Sequence, residues 1–170
     1  YQQLMNREDD KYIIRFAIFM ETFIGKYKTN GWDQEHFAVL KEKTDNVRNQ
    51  LFLDIAEDVY IQYQAMLRAK NRIDFEDMIN LAEKKLEEKQ RRQERLPYQY
   101  IIVDEYQDIA RQRFNLTKKL ADICKAKVVA VGDDWQSIYA FSGSDIHLFM
   151  DFTELMGGGK QLKITRTYRN

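Results

Sequence analysis

Two short apolar runs, each ending in acidic or amide residues, constrain the fold of this chain more than any other feature. Tyr100–Val103 ends at Asp104 and Glu105, and residues 128–131 end in a loop that carries Gln136. Because a helical pattern separates the runs, they predict neighbouring parallel strands joined by a right-handed crossover. Ligands of open α/β sheets bind at the carboxyl ends of the strands, so these polar residues form a candidate site.

Helical periodicity dominates the chain before Pro97, its only proline, which marks a boundary. One helix is predicted around residues 13–23 and ends in a break over residues 25–31. A long helix is predicted after a cap at Asp33, with an apolar face over residues 47–67, and a third begins after Asp74, which can cap it.

The pattern after Pro97 is typical of an α/β fold. A helix is predicted over residues 111–123, and a short one near residues 145–152. The triglycine at residues 157–159 predicts a flexible break. Leu162 and Ile164 then alternate with polar residues, which predicts a further strand.

Composition limits the possible classes of protein. The 170 residues include 27 basic and 27 acidic side chains, which argues against a small, wholly basic DNA-coating protein but leaves local basic patches open. Cys124 is the only cysteine, which is typical of a reducing cytoplasm. His36 and His147 stand far apart, so no structural zinc site is expected. The apolar residues 12–24 are too few to span a bilayer, and no membrane association is expected.

The acids after the first run suit work on a metal-bound phosphate. Asp104 emerges at a strand tip and can hold Mg²⁺ directly or through water, while Glu105 can orient or deprotonate a water molecule. The alternative is that these acids cap the following helix through Asp108.

The loop after the second run offers complementary groups. The neutral amide of Gln136 suits a position that senses a γ-phosphate without altering its charge, and Asp133 and Asp134 could join the outer shell of the metal. The alternative is a polar turn in which Gly132 permits a sharp bend.

Aromatic residues and a terminal arginine extend this candidate site. Tyr139 and Phe141 could stack on bases of DNA; the alternative is a place in the core, which is favoured for Tyr139. Tyr168 could stack on a nucleobase, and Arg169 could stabilise charge on a transferring phosphoryl group. The GGGK string at residues 157–160 is not a phosphate loop, because Gln161 follows where Ser or Thr is needed.

Taken together and in this order, three strings resemble motifs II, III and IV of the UvrD/Rep/PcrA-like superfamily 1 DNA helicases. They are VDEYQD (residues 103–108), VGDDWQSIY (residues 131–139) and TYR (residues 167–169). Trp135 and the FSG string at residues 141–143 look closest to the bacterial helicase IV branch of that family. The IDFED string at residues 73–77 resembles the segment upstream of motif II.

The resemblance implies a fold, two cofactors and a partner. Residues 73–170 would form part of a RecA-like P-loop NTPase motor domain (1A) with a parallel sheet, and residues 1–72 a mainly helical inserted subdomain (1B-like). The cofactors would be ATP and Mg²⁺, and the partner single-stranded or duplex DNA. The sequence does not indicate an oligomeric state.

The resemblance also implies a role for each matching residue. Asp104 would coordinate Mg²⁺, and Glu105 would activate the hydrolytic water. Gln136 would sense the γ-phosphate, Arg169 would contact it, and Tyr168 would stack on adenine. A further motif II residue, the acid at position 108, would have a structural or coupling role.

The chain departs from the family pattern in two places. Phe141 and Ser142 stand where the family commonly has Trp-Arg, so the arginine contact to DNA is missing. No Gly-x-x-x-x-Gly-Lys-Ser/Thr string occurs in the sequence. We therefore expect the chain to be a piece of a longer helicase and not to hydrolyse ATP alone.

Two other functions stay open at this point. One is a metal-dependent nuclease or phosphatase that uses the clustered carboxylates. The other is a non-catalytic helical module that docks on DNA. The carboxylates of the first alternative are Asp104, Glu105, Asp108, Asp133 and Asp134.

Overall fold

A computed structural model of the chain describes residues 8–136 and 144–166, with side chains from Lys11 onward. It divides the chain into two compact units, a helical unit that ends at Glu88 and an α/β unit that begins at Lys89. Residues 73–88 group with the helical unit in this division, and the domain boundary at 72/73 stays a prediction.

The helical unit contains four helices, one more than predicted, because the long helix predicted after Asp33 is divided by non-helical residues 43–46. They are α1 (Glu8–Thr29), α2 (His36–Glu42), α3 (Val47–Ala69) and α4 (Phe75–Arg91), the last of which ends beyond the unit. The first three helices supply a buried apolar cluster in which aromatic rings pack against one another. Its buried members are Met20, Ile24, Tyr27, Phe37, Leu53, Ala56 and Tyr60.

The break predicted to begin at Gly25 is wrong, because α1 continues through this glycine to Thr29. Ile24 and Tyr27 are buried in the core on either side of it. Their burial outweighs the cost of about 1 kcal/mol for a glycine inside a helix. The chain turns only at Gly31, which has a φ of 76°.

A buried lysine links α1 to α4. Lys28 is 1% exposed and forms ion pairs with Asp74 and Asp77, the latter at 2.7 Å. Asp74 also accepts a hydrogen bond from the Tyr63 hydroxyl group of α3 at 2.9 Å. Its other oxygen accepts one from the Asp77 amide at 2.7 Å, which confirms the predicted cap of α4.

The α/β unit contains the predicted strand–helix–strand order. Its strands are β1 (Tyr100–Val103) and β2 (Lys127–Ala130), and its helices beyond α4 are α5 (Arg111–Cys124), α6 (Ile146–Met150) and α7 (Phe152–Leu155). The two strands pair in parallel, with Tyr100 opposite Lys127 and Val103 opposite Ala130, which confirms the predicted orientation.

Only one face of this sheet is covered by the part of the chain that the structure describes. Val103 and Ala130 pack against a core whose fully buried members include Tyr106 and Leu148. Ile102, on the opposite face, is 74% exposed. The strand residues that contact this core therefore lie on one face of the sheet.

The strand predicted at Leu162 and Ile164 is also wrong. Residues 157–166 are irregular, and the two side chains are 89% and 87% exposed. Alternation of apolar and polar residues needs a pairing partner and a covered face to become a strand. Within residues 8–136 and 144–166, β1 and β2 pair only with each other.

No helix in the described ranges combines the length and the apolar character that crossing a membrane requires.

Candidate functional site

The parallel strands bring the two predicted motif segments to one edge of the sheet. The Val131 amide donates to the Val103 carbonyl at 2.9 Å, which extends the pairing to the ends of both strands. The Tyr106 amide then donates back to the Val131 carbonyl at the same distance. The acids after β1 and the loop after β2 are therefore held side by side by backbone hydrogen bonds.

Asp104 and Glu105 are both exposed at this edge. The Asp104 Oδ1 atom accepts a hydrogen bond from the Glu105 amide at 2.9 Å. Glu105 adopts the left-handed conformation, with a φ of 50° and a ψ of 42°. This conformation is uncommon for a non-glycine residue. It turns the chain sharply into the 3₁₀ helix Tyr106–Asp108.

The alternative role of these acids as caps of α5 is not supported. The residue at the cap of α5 is Ala110, and no side chain donates or accepts a capping hydrogen bond there. The Asp108 Oδ1 atom is instead buried without a hydrogen-bond partner among the described residues.

Gln107 connects the two strand ends, a role that the sequence did not suggest. Its side chain is buried, with 1% of the residue exposed. The Gln107 Nε2 atom donates to Glu105 Oε2 at 2.7 Å. Its Oε1 atom accepts a hydrogen bond from the Asp133 amide at 3.1 Å. The only sequence signal was its position two residues after an acid at a strand end, which does not reveal burial.

Asp133 continues this connection to Gln136. Its Oδ1 atom accepts from the Trp135 amide at 3.1 Å, and its Oδ2 atom accepts from Gln136 Nε2 at 2.6 Å. Both carboxylate oxygens thus bond within the turn, as the polar-turn alternative predicts. We call the hydrogen-bonded series Glu105–Gln107–Asp133–Gln136 the amide relay.

Gly132 is required here for space and not for a bend. Its φ lies outside the positive range, so the predicted sharp bend is not its reason. A Cβ atom at this position would stand 2.5 Å from Gln107 Oε1 and 2.7 Å from Phe149 Cε2. Such distances are well inside van der Waals contact, so only glycine lets the loop after β2 approach Gln107.

Tyr106 anchors the 3₁₀ helix that carries Gln107. It is fully buried and packs edge-on against Phe152, with ring centroids 5.0 Å apart. Burial raises the pKa of Tyr106 to about 12, so its hydroxyl stays neutral at physiological pH. This packing fixes the backbone on which the amide relay is built.

The donor set at this edge fits a magnesium ion that keeps most of its waters. Within the described ranges, no group of three or more His, Cys, Asp or Glu side chains is arranged to hold a metal. Mg²⁺ commonly takes only one or two carboxylates together with water and substrate phosphate. The exposed Asp104 carboxylate at a strand end is a donor of that kind.

The remaining predicted site residues lie outside the described ranges. They are Tyr139 and Phe141, which precede α6 in the sequence, and Tyr168 and Arg169 near the end of the sequence. Their roles stay predictions.

Comparison with known proteins identifies the family. The family model of the UvrD/REP helicase N-terminal domain matches residues 4–156. The chain is 30% identical over 164 residues to DNA helicase IV of Escherichia coli strain K12, which covers 95% of the chain and 23% of that protein. It is 34% identical over 133 residues to the ATP-dependent DNA helicase PcrA of Staphylococcus epidermidis strain RP62A, which covers 76% of the chain and 18% of that protein.

A second PcrA, from Bacillus subtilis strain 168, is 32% identical to the chain over 136 residues. This match covers 76% of the chain and 18% of that protein. The chain thus spans less than a quarter of these relatives. The matches confirm the resemblance inferred from the three motif strings, and the chain belongs to the UvrD/REP helicase family, with its match in the N-terminal domain of that family.

Proposed function

We propose that the protein containing this chain is an ATP-dependent DNA helicase in which hydrolysis of Mg-ATP drives movement along single-stranded DNA. Membership of the family and the names of the relatives support a helicase. The observation that carries the proposal is the amide relay, because it joins a carboxylate after one strand to an amide after the next. ATP-driven motors need such a link between hydrolysis and movement.

Asp104 and Glu105 divide the work on the nucleotide in this proposal. Asp104 binds the magnesium ion, which when bound neutralises charge on the phosphates. Glu105 orients the attacking water and takes its proton, a contribution of about 10²–10⁴-fold to the rate. Support comes from their adjacency: the Asp104 Oδ1 atom accepts a hydrogen bond from the Glu105 backbone amide, which orients the Asp104 carboxylate relative to the Glu105 backbone.

Gln136 senses the γ-phosphate in this proposal. Its amide is neutral and exposed, and it rests on Asp133 Oδ2 at 2.6 Å. A γ-phosphate oxygen offers a competing charged acceptor for the same N–H groups. Exchange of Gln136 between these two acceptors would change the backbone at Gln136 each time ATP binds or is cleaved.

Four further residues enter the proposal through the family resemblance. Arg169 contacts the γ-phosphate and stabilises the charge that develops on it, and Tyr168 stacks on adenine. Phe141 and Tyr139 contact bases of single-stranded DNA, which stacking on aromatic rings allows without sequence preference.

The isolated chain is proposed to hold only part of the nucleotide site. Its sequence contains no phosphate-loop string, so neither the lysine nor the hydroxyl that cradle the phosphates is supplied. Purified residues 1–170 are expected to show no turnover of ATP above a no-protein blank, with or without DNA. A cytoplasmic location, expected from the lone Cys124, is part of the same proposal.

The proposal is tested by strand displacement with the full-length protein that contains this sequence. Mg-ATP should release one strand of a duplex with a single-stranded tail, and Asp104→Asn should lower that rate at least about tenfold. Asp122→Asn is the matched control, since Asp122 is an exposed acid on α5 outside the site. Absence of ATP-dependent displacement would reject the helicase. Cleavage of labelled DNA with Mn²⁺ and no nucleotide would favour a nuclease instead.

A further inference from the structure

We infer that Gln107 is a positioning residue that holds the Glu105 carboxylate in place for catalysis and ties it to the loop that carries Gln136. The inference rests on the proposed function, in which Glu105 acts as the base. It adds a role for a side chain that touches neither nucleotide nor metal in that proposal.

The orientation of the Gln107 amide is determined by its two partners. The Glu105 carboxylate can only accept, so the Gln107 group that faces it at 2.7 Å must be the NH₂ group. The Asp133 amide can only donate, so the atom that faces it at 3.1 Å must be the oxygen. Among side chains of this length, only glutamine offers a donor and an acceptor at the same time.

Burial of the Gln107 side chain makes the loss of these two hydrogen bonds costly. Gln107 is 1% exposed, so an amide that lost its partners could not be resolvated without moving the turn. Glu105 itself is exposed, and its long side chain would otherwise be free to change rotamer. The buried amide therefore acts as a fixed point for a mobile carboxylate.

Packing around Gln107 confines the relay to this geometry. The Gln107 oxygen fits against Gly132, where a Cβ atom would stand 2.5 Å from it. Phe149 closes the other side of Gly132, and Tyr106 next in the chain is fully buried. The loop after β2 contacts Gln107 at Gly132 and at the Asp133 amide, and through these contacts a movement of Gln136 would reach Glu105.

Two substitutions separate positioning from mere filling of the core. Gln107→Leu keeps the approximate volume and removes both hydrogen bonds. Gln107→Glu keeps the shape and an acceptor for the Asp133 amide, but it directs a carboxylate at Glu105. A purely structural role predicts lower stability and an unchanged kcat per folded molecule in both variants, whereas positioning of Glu105 predicts a lower kcat in the folded protein.

The first readout is DNA-stimulated ATP hydrolysis by the full-length protein. We expect kcat to fall about tenfold in Gln107→Leu and about a hundredfold in Gln107→Glu, the factors typical of a lost hydrogen bond to a charged group, while KM for ATP stays within about twofold. Gln112→Leu is the matched control, because Gln112 is equally buried and its amide has no partner among the described residues. It should leave both constants unchanged.

The second readout does not depend on activity. Hydrogen exchange of the peptide that spans residues 131–136, measured without nucleotide, should be about tenfold faster at Asp133 in Gln107→Leu, because its amide loses its acceptor. The Gln112→Leu control should exchange like the wild type.

The outcomes distinguish the two levels of the hypothesis. If the wild type hydrolyses ATP, Glu105→Gln abolishes turnover and both Gln107 variants keep the wild-type kcat, the positioning role is overturned and the proposed function stands. If the wild type shows no DNA-stimulated hydrolysis, the proposed function fails and the role of Gln107 fails with it. If Gln107→Leu does not fold, Gln107→Met decides, because its unbranched side chain has a similar length and removes both hydrogen bonds.

Discussion

Gly132 approaches Gln107 so closely that a Cβ atom on it would stand 2.5 Å from the Gln107 oxygen. The two residues belong to different predicted motifs, one after β2 and one after β1. Their contact is the point at which the loop of one motif rests on the side chain of the other. The site therefore depends on a residue that has no side chain at all.

Gly132→Ala should destabilise the α/β unit by about 1–3 kcal/mol, the usual cost of inserting a methyl group into a packed region. The added atom would also meet Phe149 at 2.7 Å, so no single side chain can relieve the clash. Differential scanning calorimetry of the purified chain measures the effect. Gly25→Ala is the matched control, since nothing lies within 4 Å of its Cβ position; it should stabilise α1 by up to about 1 kcal/mol.

Lys28→Met should destabilise the helical unit by about 3–5 kcal/mol, because it leaves Asp74 and Asp77 without their buried cation. Urea denaturation followed by Trp32 fluorescence measures this in a Trp135→Phe background, where Trp32 is the only tryptophan left.

An exposed ion pair supplies the comparison for Lys28. The Lys85 Nζ atom lies 2.8 Å from Glu88 Oε2, and 72% of the Lys85 side chain is exposed. Lys85→Met should therefore lower the free energy of unfolding by less than about 1 kcal/mol. If the two substitutions lower the free energy of unfolding equally, the ion pairs of Lys28 contribute no more stability than an exposed ion pair.

Acid should weaken the helical unit through Asp74. Burial opposes ionisation of this carboxyl, but hydrogen bonds from Lys28, the Asp77 amide and Tyr63 outweigh it and hold the pKa of Asp74 below its usual range. A lowered folded-state pKa contributes stability above the unfolded value of about 4, and that stability is lost as the pH falls through the folded value.

The urea midpoint of Trp32 fluorescence between pH 7 and pH 3 reports this loss. The wild type should lose stability progressively below about pH 4, and Asp74→Asn, already weaker at pH 7, should show a flatter dependence. An Asp74→Asn profile parallel to that of the wild type would assign the acid sensitivity to other groups.

Much of the fold could be predicted from the sequence, because periodicity reports the faces that helices and strands bury. The long helix α3, the cap at Asp74 and the parallel pair β1–β2 followed from it. The failures at Gly25 and Leu162 have one cause. Local pattern does not show whether tertiary partners are present. Burial of Ile24 and Tyr27 carries α1 through a glycine, whereas Leu162 packs on no covered face among the residues that the structure describes.

Only part of the candidate site could be predicted from the sequence. Asp104, Glu105 and Gln136 could be named because strand ends release polar side chains at one edge. Gln107 could not, since its role depends on burial and on the close approach of Gly132, which only three-dimensional packing reveals. The roles of Asp104, Glu105 and Gln136 in hydrolysis stay predictions.

The central claim is that Glu105 acts as the general base in ATP hydrolysis and does not contribute to nucleotide binding. Single-turnover hydrolysis of bound ATP by the full-length Glu105→Gln variant tests this claim most directly. Nucleotide affinity should stay within about threefold of the wild type while the rate of cleavage falls about 10²–10⁴-fold, as loss of a general base predicts. A cleavage rate equal to that of the wild type would contradict the account.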